Sequence, residues 1–363
     1  MSILALLLGA SAAAGTTLEP AAPQSAMMPL RRLDQTEASR RGAVCLDGGA
    51  PGIYYRNAST PAAQTSWVLF FKGGGWCGLP DPDAPVPGGA IDDCATRTGN
   101  PLGNTSLFPP EYGVEGPLDP DAANNPTFAH HHHVVLWYCD GLSFSGDRAA
   151  PVSWPNPRRP GTNQTLYFRG SRVLDYVLDT LLSLYGMRHA TELLVSGGSA
   201  GGNSAFVHAD RIAARLPATT RVGAAPISGF FPMHAAADGA PTMSSQLRSL
   251  CATHNCTAGV HAGCTAGLPS GERWRCLAAN YSYAASTTPF FPIQSVLDVV
   301  QLDWILNDST TCAPKPTRCH LLPPPTPHPL TPILPFARSG MPTAAWRRRN
   351  LNSSAAPPIR RRA

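Results

Sequence analysis

The stretch from Thr191 to Arg215, TELLVSGGSAGGNSAFVHADRIAAR, constrains the fold more than any other part of the chain. Leu193-Leu194-Val195 reads as a short strand, and Ser196 to Gly202 as a sharp turn that feeds an amphipathic helix. Within the turn, Gly197-Gly198-Ser199-Ala200-Gly201 fits G-x-S-x-G, the elbow that lifts a nucleophilic serine above a sheet edge. Such an apex needs strained backbone angles, and bulky side chains two residues to either side would collide. The plain alternative is a glycine-rich turn with no chemistry, because the pattern alone is common. The strand before it and the helix after it are what the chemistry requires.

The neighbouring segments supply the rest of a sheet. Trp67-Val68-Leu69-Phe70-Phe71 is a continuous apolar run and reads as a buried strand, followed at once by Lys72-Gly73-Gly74-Gly75-Trp76-Cys77. Val134 to Tyr138 reads as a second buried strand, Phe168 to Tyr185 as a helix, and Arg221 to Ile227 as a further strand. Strand, crossover helix, strand predicts an α/β fold with a mostly parallel central sheet and helices on both faces. Residues 78–128, rich in Pro, Gly, Asn and Asp, read as a long surface excursion. Ser295 to Asp298 reads as a last strand ending in a carboxylate. Four cysteines in residues 251–276 lack the C-x-x-C hooks of a zinc site and read as a disulfide-stapled cap.

At 363 residues the chain can bury one large core. The expected domain runs over 40–319, after a polar leader at 15–42 and before a Pro/Arg-rich tail at 320–363. The formal charge of +5 comes from six arginines in the last 17 residues, so it says nothing about the substrate. Ser2 to Ala14 resembles a secretory signal, and residues 1–14 are expected to be cleaved. Ten cysteines and seven N-x-S/T sequons, from Asn57 to Asn352, fit a secreted glycoprotein. No later segment has the continuous apolar length of a membrane span.

A serine attacks only when a base takes its proton and donors await the oxyanion. The Ala200 amide is one donor, and Gly74 and Gly75, in the glycine loop after an earlier strand, are the expected others. Chain order places the acid next, and Asp298 at a strand end is preferred over Asp303 inside VVQLDWIL. His130 to His133 invite a metal reading, but side chains in an extended run point alternately to opposite sides, so at most two could converge on one ion and a solvated loop is preferred. His189, His208 and His234 read as surface or satisfied core residues, and Asp140 and Asp147 as structural or pocket-lining acids. The sequence contains no nucleotide loop, metal hook or DNA-binding motif, so no cofactor, metal or nucleic acid is expected.

Several motifs in order resemble the pectin acetylesterase family, which includes Notum-like carboxylesterases. They are Phe71 to Cys77, Trp137-Tyr138-Cys139-Asp140-Gly141 with Phe144-x-Gly146-Asp147, Leu166 to Gly170, and Ser196 to Gly202. The agreement spans roughly residues 40–310, through Gly229-Phe230-Phe231 and Thr288 to Asp298 with Gln301. The resemblance implies an α/β-hydrolase fold and a secreted serine esterase with Ser199 and Asp298 in its triad. It also implies an oxyanion hole of the Gly74, Gly75 and Ala200 amides. In the family the catalytic histidine follows the acid, beside a cysteine near the domain's end. That segment is missing here: His320 and His328 have Pro-rich surroundings that do not match, and the C-terminus reads as divergent or truncated.

The expected activity is removal of O-acetyl groups from a cell-wall polysaccharide such as pectin, by a monomer that does not insert into membranes. Two alternatives are a Notum-like lipid deacylase and a catalytically impaired glycan-binding homologue.

Overall fold

Residues 27–78, 89–113 and 116–306 are described in the computed structural model. In chain order the elements are β1 (Met27–Arg32), α1 (Gln35–Arg41), β2 (Gly52–Arg56), β3 (Ser66–Phe71), α2 (Gly89–Arg97), β4 (Glu111–Gly113) and β5 (His132–Leu136). The hairpin strands β6 (Val152–Pro155) and β7 (Asn163–Leu166) follow, then α3 (Gly170–Leu184), β8 (Glu192–Gly198), α4 (Ala200–Ala213) and β9 (Arg221–Ile227). The cap holds α5 (Thr242–His254), α6 (Ala262–Ala266) and α7 (Ala279–Ala285).

The central sheet has the order β4-β1-β2-β5-β3-β8-β9. The run from β5 through β3 and β8 to β9 is parallel, as the crossover helices demand. β4, β1 and β2 extend it as antiparallel strands. Side-chain alternation explains why β3 and β5 are apolar throughout. Trp67, Leu69 and Phe71 enter one core with Val134 and Leu136, under Leu174, Val177 and Leu178 of α3 and Ala205, Ala209 and Ile212 of α4. Val68 and Val135 enter the opposite core with Tyr54 and Trp137, beneath Phe108 and Leu118. Both faces are buried.

The structure corrects several expectations. The segment 27–41, expected as a leader, contributes β1 and α1. Its helix was signalled: Asp34 caps the first turn by accepting from the Glu37 amide, and Glu37 is the acid three residues on. Within 78–128, helix α2 is tied down by the Cys77–Cys94 disulfide, and Phe108 and Leu118 are core residues. The last strand-like segment lies earlier than Ser295, where Phe290 and Ile293 bridge in parallel to Ala224 and Ile227. Val296 and Leu297 form an exposed turn instead. His132 and His133 are no solvated loop: they open β5 and are buried, with His132 stacked on Trp67 at 4.1 Å.

Four disulfides close the described fold, Cys45–Cys139, Cys77–Cys94, Cys251–Cys256 and Cys264–Cys276. Cys45–Cys139 spans 94 residues and joins the loop before β2 to the chain just after β5. The cap has a separate core of Met243, Leu247, Leu250, Trp274 and Leu277, which meets Val207 of α4. The signal residues 1–14, His320, His328 and the 320–363 tail lie outside the described residues.

Glycine at 201 is a packing requirement. A Cβ there would lie 2.0 Å from the Phe71 carbonyl oxygen, which is backbone and cannot rotate away. Gly201→Ala is expected to destabilise the fold by about 3 kcal/mol or more, the upper range of overpacked cores. Thermal melting of purified protein checks this, and a variant melting with the wild type contradicts the packing described.

Candidate active site

β8 ends at Gly198 and α4 begins at Ala200, leaving Ser199 alone between them at φ 57° and ψ −124°. A non-glycine residue at positive φ costs on the order of 1–3 kcal/mol and persists only where its surroundings enforce it. The enforcement is visible. Ser199 N–H donates to the Ile227 carbonyl at 2.9 Å, fastening the apex to the end of β9. A Cβ on Gly197 would sit 2.4 Å from the Gly201 oxygen, and one on Gly202 2.6 Å from the Ile227 oxygen. The serine is half-exposed, while Ala200 behind it is buried in the first turn of the helix.

The triple-glycine loop passes directly beside the serine. A Cβ on Gly73 would fall 2.2 Å from the Gly198 oxygen and 3.2 Å from the Ser199 Cβ. Gly75 adopts φ +65° and is exposed, and Gly74 is half-buried against Leu102 and Tyr138. Arg97 of α2 fixes the loop's far end, donating to the Trp76 carbonyl at 2.9 Å and, more weakly, to the Gly75 carbonyl at 3.4 Å. Burial lowers the pKa of Lys72, whose ammonium donates to the Gly73 carbonyl. Sequence reasoning missed Arg97, because only folding brings α2 to the loop.

A third loop, 139–146, braces the other two. Ser143 and Phe144 have φ of 47° and 56°, and Ser228 after β9 has 48°. Four of the five described non-glycine residues at positive φ therefore belong to these connected loops and the elbow. Trp76 Nε1 donates to Ser143 Oγ at 2.7 Å, and Ser143 Oγ donates to the Ala200 carbonyl at 2.8 Å. Asp140, fully buried, accepts from the Leu142 and Phe144 amides and so holds the loop in its strained shape. Gly170 is needed for the same reason: its Cβ would lie 2.1 Å from Asp140 Oδ2.

Asp298 lies beyond the bridge to β9. Its Oδ1 accepts from the Val300 and Gln301 amides, so it caps the last described helical turn. Its Oδ2 accepts from Gln294, which also accepts from the Phe230 amide, while Gln301 donates to the Phe230 carbonyl. The acid is thus moored to the loop after β9. Asp303 falls in the final turn, and its side chain lies outside the described residues.

Among the described residues, no histidine is hydrogen-bonded to Ser199 or Asp298. His208 faces the Ser143 carbonyl, His254 the Cys77 carbonyl, and His261 the Asp210 carboxylate. His189 and His234 lie at the surface, and Asp147 pairs with Arg172. The one grouping of metal-type ligands among the described residues, Cys77, Cys94 and His254, has both thiols closed in a disulfide. No described helix is long and apolar enough to cross a membrane.

A family profile described as Pectinacetylesterase matches residues 21–321. Pectin acetylesterase 4 of Arabidopsis thaliana is 30% identical over 268 residues, covering 74% of this chain and 59% of the plant protein. Palmitoleoyl-protein carboxylesterase NOTUM of Drosophila melanogaster is 25% identical over 281 residues, covering 75% of this chain and 38% of that protein. The Drosophila Wnt deacylase Notum structure superposes with a TM-score of 0.60 at 23% identity, covering 80% of this chain and 76% of that one, which establishes the α/β-hydrolase fold. The chain spans between 57% and 64% of the length of the plant relatives it matches.

The buried histidines give the fold an acid limit. Burial holds the pKa of His133 at about 4, His208 at about 3 and His254 at about 4, against about 6.5 in an unfolded chain. His131 and His132 move in the same direction. The unfolded chain therefore binds more protons below about pH 6.5, and stability falls as the pH falls. Asp140 opposes this, because burial raises its pKa to about 7 and the folded chain holds that proton; Asp93 shifts the same way. The histidines outnumber the acids. The urea midpoint is expected to drop from about pH 6.5 to about pH 4.5, and a flat or rising midpoint over that window contradicts neutral buried histidines.

Proposed function

The chain belongs to the pectinacetylesterase family, and we propose that it is a secreted serine carboxylic-ester hydrolase that deacetylates a cell-wall polysaccharide such as pectin. The observation that carries the reading is the strained Ser199, held between β8 and α4 with the triple-glycine loop against it. Ser199 Oγ attacks the acetyl carbonyl carbon, and a histidine accepts its proton. The Ala200, Gly74 and Gly75 amides receive the oxyanion, and the positive end of α4 adds to their field. The sugar hydroxyl leaves with the proton, and water then hydrolyses the acetyl-serine in the same manner. Asp298 orients the histidine. Acetyl is preferred over a long acyl chain because the plant acetylesterases match at higher identity than the Notum enzymes. Secretion is supported by the four disulfides, which persist in oxidising compartments. The protein is proposed to act as a monomer.

One observation favours a second reading, a glycan-binding homologue without turnover: neither Ser199 nor Asp298 has a histidine partner among the described residues. Hydrolysis of p-nitrophenyl acetate separates the two. Ser199→Ala is expected to fall to the buffer rate, and equal rates for wild type and variant end the hydrolase reading. Asp298→Asn tests the acid without removing the cap, because asparagine caps a helix as well as aspartate does. An acid of the triad is expected to lose about 10³-fold or more in kcat, whereas a mere cap loses nothing.

A further inference from the structure

Five sequons lie in the described residues, at Asn57, Asn104, Asn163, Asn255 and Asn280, and the fold treats them differently. Asn104 has both ends of its amide engaged, accepting from the Ser106 amide and donating to the Thr98 carbonyl at 3.0 Å. Asn255 donates to the Asp147 carbonyl at 3.1 Å, and its middle sequon residue, Cys256, is closed in a disulfide. Asn280 is half-buried, and its Oδ1 is buried without a partner. Asn57 and Asn163 are exposed. Asn57 is tied through its amide oxygen, which accepts from Tyr55 OH at 2.8 Å, and not through the nitrogen that a sugar would take.

Asn57 also stands on the rim of a shallow groove of about 430 Å³, lined by Arg31, Tyr55, Asn57, Leu184 and Tyr185. Leu184, at the end of α3, is 79% exposed, and Tyr185 beside it is only half-buried, its ring edge-on to Tyr55 at 4.6 Å. An exposed leucine and a half-buried tyrosine, flanked by an arginine, match a sugar ring. The C–H face of the sugar packs on the apolar pair, and its N-acetyl carbonyl accepts from the guanidinium.

We propose that Asn57 carries an N-linked glycan whose first N-acetylglucosamine lies in this groove and covers Leu184 and Tyr185. The attachment forms a bond between Asn57 Nδ2 and C1 of the sugar, and breaks the bond from C1 to a lipid diphosphate, which leaves. The amide nitrogen gives up one proton. The proposal rests on the secretory reading above, since the donor and its transferase occupy the lumen.

The test keeps the two apart by producing the full chain in a eukaryotic secretory host behind a heterologous signal peptide. The same chain with its own amino-terminal residues 1–14 in place reports secretion separately. Mass spectrometry of glycopeptides is expected to find Asn57 occupied in most molecules. Asn57→Gln is expected to lower Tm by about 2 °C, and the same substitution made in a Leu184→Ser background to lower it by less, because Leu184 is one of the groups the sugar covers. An unmodified Asn57 overturns the proposal. Occupancy with an equal Tm loss in both backgrounds overturns the seat in the groove.

Discussion

The fold turns on a place where main chain lies on main chain with nothing between. The end of β3, the elbow after β8 and the loop after β9 approach so closely that glycine is the only residue that fits. Gly201 abuts the Phe71 carbonyl, Gly73 the Gly198 carbonyl, and Gly229 the backbone of Gly202, where a Cβ would come within 2.3 Å. In the proposed reaction, backbone amides bared by such glycines need no side chain to reach the ester oxygen, and they lose no rotamer entropy when it arrives. The parallel register of β3, β8 and β9 is what brings the three ends level.

Strain at the apex has to be balanced elsewhere, and loop 139–146 supplies part of the balance. Asp140 gains two amide hydrogen bonds and holds Ser143 and Phe144 at positive φ, and Ser143 then reaches the first carbonyl of α4. Burial of Asp140 raises its pKa, and its two amide hydrogen bonds offset part of the cost of desolvating it. Cys45–Cys139 anchors the start of the loop and Cys77–Cys94 the glycine loop beside it. A disulfide closing a loop near 100 residues removes roughly 4.7 kcal/mol of unfolded-state entropy, of the same order as the summed strain of the positive-φ residues around Ser199.

The elbow, the parallel strands and helix α3 were legible in the sequence, because apolar runs and glycine spacing are local signals. Arg221 to Ile227 is a strand with the expected bounds. The histidine run misled, because a polar-looking stretch can be buried when each ring finds partners. His132 accepts from the Ala58 amide, faces the Gln64 carbonyl and stacks on Trp67. The last strand was misplaced by a few residues because Pro289 and Pro292 disguise pairing that uses the Phe291 and Ile293 amides instead. The holds of Arg97 on the glycine loop and of Gln294 and Gln301 on Phe230 could not be read at all. Each joins segments brought together only by the tertiary fold.

Helix α4 links the elbow to the cap, and its two faces divide the work. Ala205, Ala209 and Ile212 lie on the sheet side, whereas Asn203, Val207 and Asp210, spaced by four and three residues, face the cap segments. Asn203 donates to the Leu277 carbonyl at 3.1 Å. Asp210 accepts from the Thr287 and Thr288 amides and pairs with His261 of the cap. Burial disfavours that carboxylate, but the hydrogen bonds from His261, Thr287 and Thr288 hold its pKa well below the usual range. The charge therefore persists and keeps the link polar and directional. A cap hung from the helix that carries Ser199 at its amino end is therefore fixed relative to that serine, through Asn203, Val207 and Asp210.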